Sequence, residues 1–304
     1  MRGNMLLRSF MFLPAYNRKF IEKALQSDAD ALILDLEDAV PPVYRQEARN
    51  NIIEYSRNGK FVGKKIFIRI NEIGTKDFAK DIDQMILEGI TGFMPSKISD
   101  AGDIYFLDRL LSMQEVKCDL EKGTFLLAPL IETAKAVLNA YEIAKASSRM
   151  VAICLGGEDY LNDLGSTYTY HTPAFSYPRA TIVNAARAAQ ILPIDTPYLN
   201  INDLEGFRTA EKEAYKNGFS GCLLLNPKQI EVANTVFSPD EDEIEYSQNL
   251  IKVFEDTMGK QDIGIAMYRG VMIGPPMLKR ARYVVNQRKL IEDENKKSQR
   301  EGTF

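Results

Sequence analysis

Acidic and amide residues recur immediately after short apolar runs along this 304-residue chain. Asp35-Leu36-Glu37-Asp38 closes one run and Arg69-Ile70-Asn71 the next. Lys97, Glu132-Thr133, Gly156-Gly157-Glu158-Asp159, Asp195 and Asn226 close those that follow. Hard oxygen donors without histidine or cysteine select Mg2+, or Mn2+, over zinc or copper. Magnesium takes one or two carboxylates and keeps several waters, which leaves positions for a chelating substrate. Glu132 and Asp159, on successive runs, are the natural metal pair. Each acid could instead cap the helix that follows it, where negative charge is favourable.

Arg69 sits in the β-branched stretch Ile66-Phe67-Ile68-Arg69-Ile70. A guanidinium there is either anchored in the core by Glu37 or Asp38 or forks onto a substrate carboxylate, and the two roles can coexist. Gly156-Gly157 makes a tight turn and would let backbone amides approach a bound carboxylate. Lys97 could form a Schiff base if desolvated, but the surrounding acids favour its protonated form.

The elements that must carry these residues alternate. Strands are expected at 10–13, 31–36, 65–70, 92–94, 125–131, 151–155, 192–194 and 221–225, apolar on both faces as in a covered parallel sheet. Helices are expected between them, at 18–26, 45–55, 77–87, 104–116, 135–146, 178–190 and 204–216. Ser99 and Asp100 cap the fourth of these, and Asn217-Gly218 stops the seventh. Eight strand–helix pairs point to an α/β fold, a (β/α)8 TIM barrel, whose chemistry sits at the carboxyl ends of the strands. The rival doubly wound sheet advertises a glycine-rich first turn, which here reads Pro14-Ala15-Tyr16-Asn17. The barrel is assigned to residues 1–238. Residues 239–304 form a C-terminal appendage: a helix over 240–258, a hairpin over 263–273, a charged helix over 275–295 and a frayed tail over 292–304. With few apolar residues of its own, it is expected to pack on the barrel or on a neighbouring subunit.

Composition narrows the function. Thirty-eight Lys and Arg against 42 Asp and Glu give a net charge of −4, which offers no general field for nucleic acid. Three scattered cysteines and a single histidine make a disulfide framework or a His/Cys zinc site improbable. A Ser-His-Asp triad would have to use His171. No apolar run reaches the ~20 residues needed to span a bilayer, and no signal-peptide pattern opens the chain, so a cytoplasmic location is expected.

The motifs, in this order, resemble the citrate lyase β-subunit-like family of the HpcH/HpaI aldolase superfamily, which includes malyl-CoA and citramalyl-CoA lyases. The resemblance runs from about residue 8 to 284. It rests on Arg8-Ser9-Phe10, residues 29–40 (ADALILDLEDAV), 68–71 (IRIN), Ile131-Glu132-Thr133, 156–161 (GGEDYL), 179–195, 219–230 and 236–239 (VFSP). It implies a barrel with Mg2+ on Glu132 and Asp159, and a substrate site lined by Glu37, Asp38 and Arg69. Gly156, Gly157, Glu158 and Lys97 are expected to join that lining. It also implies a CoA or acyl-carrier thioester entering across the mouth, and a homotrimer or larger homo-oligomer. The reaction implied is cleavage of a 3-hydroxy-3-carboxyacyl thioester into an acyl thioester and a 2-oxo acid, with Asp38 or Glu37 as base and Arg69 balancing charge. Two alternatives are a metal-dependent pyruvate aldolase acting on a free 4-hydroxy-2-oxo acid, and a non-catalytic protein binding CoA or oxo acids.

The chain departs from the family pattern near the expected carrier path. Pro-Gly of the first loop is Pro14-Ala15, and a basic residue is replaced by Asn17 with Arg18 beside it. Ser96 replaces the proline of Leu-Pro-Lys. Leu225-Asn226-Pro227 replaces Ile-His-Pro, and Cys222 stands where a basic residue precedes it. Met272-Ile273-Gly274 replaces Met-Ile-Asp, whose Asp supplies a catalytic carboxylate across the subunit interface in the malyl-thioester hydrolases and malate-synthase-like relatives of the family; Asp262 is a weak substitute.

Overall fold

Each apolar run becomes a short strand because it can bury both faces, one inside a ring of strands and one under helices. The computed structural model describes residues 5–166, 173–261 and 265–301; His171 and Asp262 lie outside them. The first compact unit spans Met1–Phe237 and the second Ser238–Phe304.

In the first unit the strands are β1 (Ser9–Pro14), β2 (Ala31–Asp35), β3 (Ile66–Ile70), β4 (Gly92–Pro95), β5 (Leu126–Leu127), β6 (Leu130–Ile131), β7 (Ala152–Leu155), β8 (Leu192–Asp195) and β9 (Gly221–Leu224). All pair in parallel, in the order β5-β4-β3-β2-β1-β9-β8-β7-β6. The two ends of this order are the two halves of one expected strand, broken at Ala128-Pro129, where proline removes a ladder donor. The break does not open the ring. Leu127 bridges to Met150, and the Cys154 amide donates to the Pro129 carbonyl. The sheet therefore closes on itself as a (β/α)8 barrel.

The helices are α1 (Arg18–Leu25), α2 (Arg45–Arg57), α3 (Lys76–Gln84), α4 (Ala101–Lys117), α5 (Ala134–Leu138), α6 (Ala140–Lys145), α7 (Gly157–Asp163), α8 (Ser176–Ala189), α9 (Leu204–Lys216) and α10 (Ile230–Val236). Their starts are chemically specified. Asn17, Thr75, Thr133 and Asp203 accept from backbone amides as N-caps, and Asp100 forms a capping box with Asp103. Gly218, at φ +101°, follows the end of α9 in a left-handed conformation that favours glycine. The helix expected over 135–146 is divided at Asn139.

Two apolar layers result. Phe10, Ile33, Phe67, Met94, Leu130, Cys154, Ile194 and Leu223 fill the barrel, with Phe10 and Phe67 edge to face at 5.0 Å. A larger layer, including Leu32, Leu34, Ile68, Phe93 and Leu224, lies between strands and helices.

The second unit contains α11 (Glu241–Gln261), the hairpin β10 (Ala266–Tyr268) and β11 (Val271–Ile273), and α12 (Pro275–Glu301). It assembles a small core of its own from Leu250, Phe254, Ala266, Ile273 and Ala281. Within the described residues the expected frayed tail is helical, since α12 continues to Glu301, helped by the Arg288–Glu292 pair at 2.7 Å one turn apart; residues 302–304 lie outside them. Among the described residues, no helix is long and apolar enough to cross a membrane.

Candidate active site

Strand periodicity decides which strand-end residues face the mouth. Side chains alternate across a strand, so a residue two places beyond an inward core residue also points inward. Asp35 follows Ile33, Arg69 follows Phe67, Ser96 follows Met94, Glu132 follows Leu130 and Gly156 follows Cys154. These five positions form the top layer of the barrel. Asp195 follows Ile194 directly and has the opposite parity. It is fully buried and pairs with Arg179 of α8 at 3.0 Å, with Arg179 lying over the Phe175 ring. Asn226 likewise belongs to local structure, as the cap of a short 3-10 turn closed by Gln229.

Arg69 is held more firmly than the sequence suggested, and by a different acid. Its Nε and Nη2 donate to Asp35 Oδ1 and Oδ2 at 2.7 and 2.5 Å, and its guanidinium lies 4.9 Å from the centre of the Phe12 ring. The expected partners Glu37 and Asp38 are secondary, with carboxylate oxygens 3.5 and 3.4 Å from Nη1. Burial opposes the cation, but Asp35, Glu37 and Asp38 together raise its pKa. Asp35 is the residue that motif reading passed over. It accepts the Glu37 and Ala39 amides as well as Arg69, so one carboxylate shapes the whole turn after β2.

Glu37 is 3% exposed, and its carboxylate is set among Arg69, Ser96 and Lys97. Lys97 Nζ lies 3.3 Å from Oε1 as an ion pair. Burial pushes the Glu37 carboxyl up, with Asp38 adding to the effect, against Arg69, Ser96 and Lys97. Asp38 is exposed. Lys97 stays a cation: the neighbouring Glu37, Asp38 and Glu132 outweigh burial and raise its pKa, against Schiff-base chemistry.

Glu132 is 2% exposed and accepts a hydrogen bond from the Lys97 backbone amide. Burial pushes its carboxyl up to about 7, the Lys97 amide offsets part of that, and the charges of Asp159 and Glu37 add to it. Asp159 is half-buried in the first turn of α7, a helix that sequence reading did not anticipate. Glu158, on the same turn, is exposed.

The two glycines serve a purpose other than the one expected. A Cβ on Gly156 would lie 2.7 Å from Glu132 Cβ and 2.8 Å from Oε2, and one on Gly157 would lie 2.4 Å from Thr196 Oγ1. Their amides are already engaged, Gly156 with the Ile131 carbonyl and Gly157 with Thr196 Oγ1. The glycines therefore make room for Glu132 and Thr196, and their N–H groups are not spare donors for a carboxylate.

Three of the departures from the family pattern have structural surroundings of their own. Arg18 is committed to Glu54 through both terminal nitrogens, at 2.9 and 2.5 Å, and to Asn51 through Nε. Cys222 is buried, and the Ser96 hydroxyl donates to the Ile70 carbonyl.

A cation suits this mouth. Asp159 and Glu37 are close enough to Glu132 for their charges to raise its proton affinity, and glycine leaves space beside Glu132 Oε2. No group of three His, Cys, Asp or Glu is gathered into a ready metal cage among the described residues. The donor set therefore matches an ion that completes its shell with water and ligand oxygens.

Known proteins carry the same arrangement of sequence and fold. The chain is 34% identical over 297 residues to citrate lyase subunit beta of Leuconostoc mesenteroides subsp. cremoris, covering 97% of this chain and 98% of that one. It is 30% identical over 302 residues to L-malyl-CoA/beta-methylmalyl-CoA lyase of Rhodobacter capsulatus, covering 93% and 94%. The crystal structure of protein CitE from Mycobacterium tuberculosis in complex with magnesium, acetoacetate and coenzyme A superposes with a TM-score of 0.76 at 26% identity, covering 93% of this chain and 98% of that one. The family model for HpcH/HpaI aldolase/citrate lyase matches residues 8–227, a span that holds all the barrel strands and the acids at their ends. With most of the chain matched, this protein belongs to the HpcH/HpaI aldolase/citrate lyase family.

Proposed function

We propose that this chain is a Mg2+-dependent carbon–carbon lyase that splits a 3-hydroxy-3-carboxyacyl thioester of the malyl, citramalyl or citryl kind into an acyl thioester and a 2-oxo acid. Family membership supports the lyase class. The observation that carries the reading is a barrel mouth holding an oriented guanidinium, Arg69, beside two buried acids, Glu37 and Glu132.

Glu132 and Asp159 would hold the ion. When bound, Mg2+ supplies Lewis acidity to substrate oxygens. Arg69, clamped by Asp35 but with Nη1 directed toward the mouth acids, is placed to balance the carboxylate of the oxo-acid half. Glu37 is the better base of the two candidates, because burial raises its proton affinity while Asp38 is exposed. In the cleavage direction the substrate hydroxyl proton passes to a Glu37 oxygen and the hydroxyl carbon becomes the keto carbon. The electron pair of the broken carbon–carbon bond leaves on the thioester as an enolate, which then takes up a proton. CoA or an acyl-carrier arm carries the thioester, and the working form is a homo-oligomer in the cytoplasm, a trimer or larger.

The test is product analysis with Mg2+ and a panel of malyl-, methylmalyl-, citramalyl- and citryl-thioesters. Equimolar oxo acid and shortened thioester are expected from at least one of them. Cleavage of a free 4-hydroxy-2-oxo acid alone would assign an aldolase. Oxo-acid binding without turnover of any substrate would assign a binding protein.

A further inference from the structure

Lys97 is among the few described non-glycine residues with a left-handed backbone, at φ 54°. It follows β4 directly after Ser96 and stands between the acids on which the proposed reaction depends. A positive φ sets the angle between a residue's own amide and its Cα–Cβ bond, and for a residue with a Cβ it is a strained choice. Here that choice lets one residue reach two carboxylates. The amide donates to Glu132 Oε1, and the ammonium lies 3.3 Å from Glu37 Oε1.

Among the contacts named here, Lys97 is the residue that reaches both acids; Glu37 also meets Arg69 Nη1 at 3.5 Å and the Ser96 hydroxyl. Glu132 is confined on its far side by Gly156, where even a methyl group would collide. We propose that Lys97 is a positioning residue: its backbone amide orients Glu132 and its ammonium holds Glu37, so that the ion's acid and the base keep a fixed separation. This rests on the lyase reading above. It differs from a substrate-ligand role for Lys97, because both of the contacts named here are made to the protein's own acids.

Three variants test it. Lys97→Met removes the ammonium and keeps the strain. Lys97→Gly removes both and keeps the amide, since glycine adopts positive φ at no steric cost. Lys97→Arg retains the charge. Kinetics with the cleaved thioester are paired with calorimetry of Mg2+ plus oxaloacetate and with thermal melting. Lys97→Met and Lys97→Gly should both lose about ten- to a hundredfold in kcat, as a misplaced base does, with KM nearly unchanged. Both should still bind oxaloacetate with Mg2+, because the amide to Glu132 survives. Lys97→Gly should melt no lower than Lys97→Met, and Lys97→Arg should recover much of kcat. If Lys97→Met does not fold, Lys97→Gly carries the comparison.

Wild-type kcat in Lys97→Gly overturns the inference, and so does a rise in KM with kcat intact, which would make Lys97 a substrate ligand. If the wild-type protein neither cleaves a thioester nor binds oxaloacetate with Mg2+, the lyase reading itself has failed and the role assigned to Lys97 falls with it.

Discussion

Arg69 and Asp35 meet in a two-pronged ion pair, 2.7 and 2.5 Å long, at facing ends of adjacent parallel strands. The pair is in register, Asp35 opposite Arg69, and the carboxylate is fully buried. A planar fork is needed to satisfy both oxygens at once. Asp35 also receives two backbone amides, so the pair sets both the guanidinium's plane and the course of the Glu37 turn.

Arg69→Lys is accordingly expected to lower kcat/KM by about 2–4 kcal/mol of transition-state stabilisation, the range for losing an oriented donor. It should also lower the melting temperature, because one prong of a buried acid is left open. Wild-type kinetics with a lowered melting temperature would assign Arg69 to stability alone.

Glu132→Gln separates function from folding. A neutral amide relieves the crowding among Glu132, Asp159 and Glu37 and can still accept from the Lys97 amide. In metal-free buffer the variant should therefore be more stable, by about 0.5–2 kcal/mol, the usual gain when a functional site is relaxed. Calorimetry should show Mg2+-dependent binding of oxaloacetate, pyruvate or glyoxylate abolished in it and in Asp159→Ala. Unchanged binding in both would remove these acids from the metal site.

Gly156→Ala tests the cradle. Its Cβ would collide with Glu132, not with backbone, so Glu132 must move. The expected result is a loss of about 1–3 kcal/mol in stability, the cost of overpacking, together with weakened Mg2+-dependent oxo-acid binding. Denaturant melts and calorimetry on one preparation read both.

Acid stability should depend on Glu115, far from these reactions in role. The buried Glu115 carboxylate pairs with Arg149 through two contacts of 2.5 and 2.6 Å and accepts the Gly123 and Phe125 amides. Burial works against the anion, but Arg149 and the two amides win and hold the carboxyl below its ordinary 4.5. A depressed folded-state pKa means the stabilisation is fully present above the unfolded value and is lost as pH falls through the folded one. Glu115→Gln should thus be clearly less stable than wild type near neutrality, with the gap closing below the ordinary value. A pH-independent gap in chemical melts would contradict this.

Gly274 precedes the first turn of α12, and its carbonyl accepts from the Met277 and Leu278 amides, as an N-cap does. The nearest atom to an added Cβ is Pro276 Cδ at 3.9 Å, so a Cβ is accommodated without collision. Gly274→Asp should leave stability equal or a few tenths of a kcal/mol higher, as for an aspartate cap replacing glycine. The resemblance to thioester-hydrolysing relatives sets a catalytic carboxylate at this position, so wild-type protein should hydrolyse the hydroxyacyl thioester slowly, and the variant should gain some hydrolysis. Fast release of free hydroxy acid by the wild type would refute the assignment.

Period and punctuation were sufficient for the barrel. Runs such as Ala31–Asp35 and Ile66–Ile70, apolar on both faces and separated by capped helices, leave a closed parallel sheet as the economical way to bury both layers. The same runs marked Glu37, Arg69, Glu132 and Asp159 as strand-end or following residues, because motif chemistry is local. Partner choice is not local. Whether Arg69 took Asp35 or Glu37 depended on strand register and on alternation, which put Asp35 inward and Asp195 outward although both end their strands. The glycine amides could be assigned only once Thr196 and Ile131, from two other segments, had claimed them. The same holds for Lys97, whose left-handed backbone has no composition signature. Its amide and its ammonium meet acids 35 residues ahead and 60 behind only when the barrel is closed.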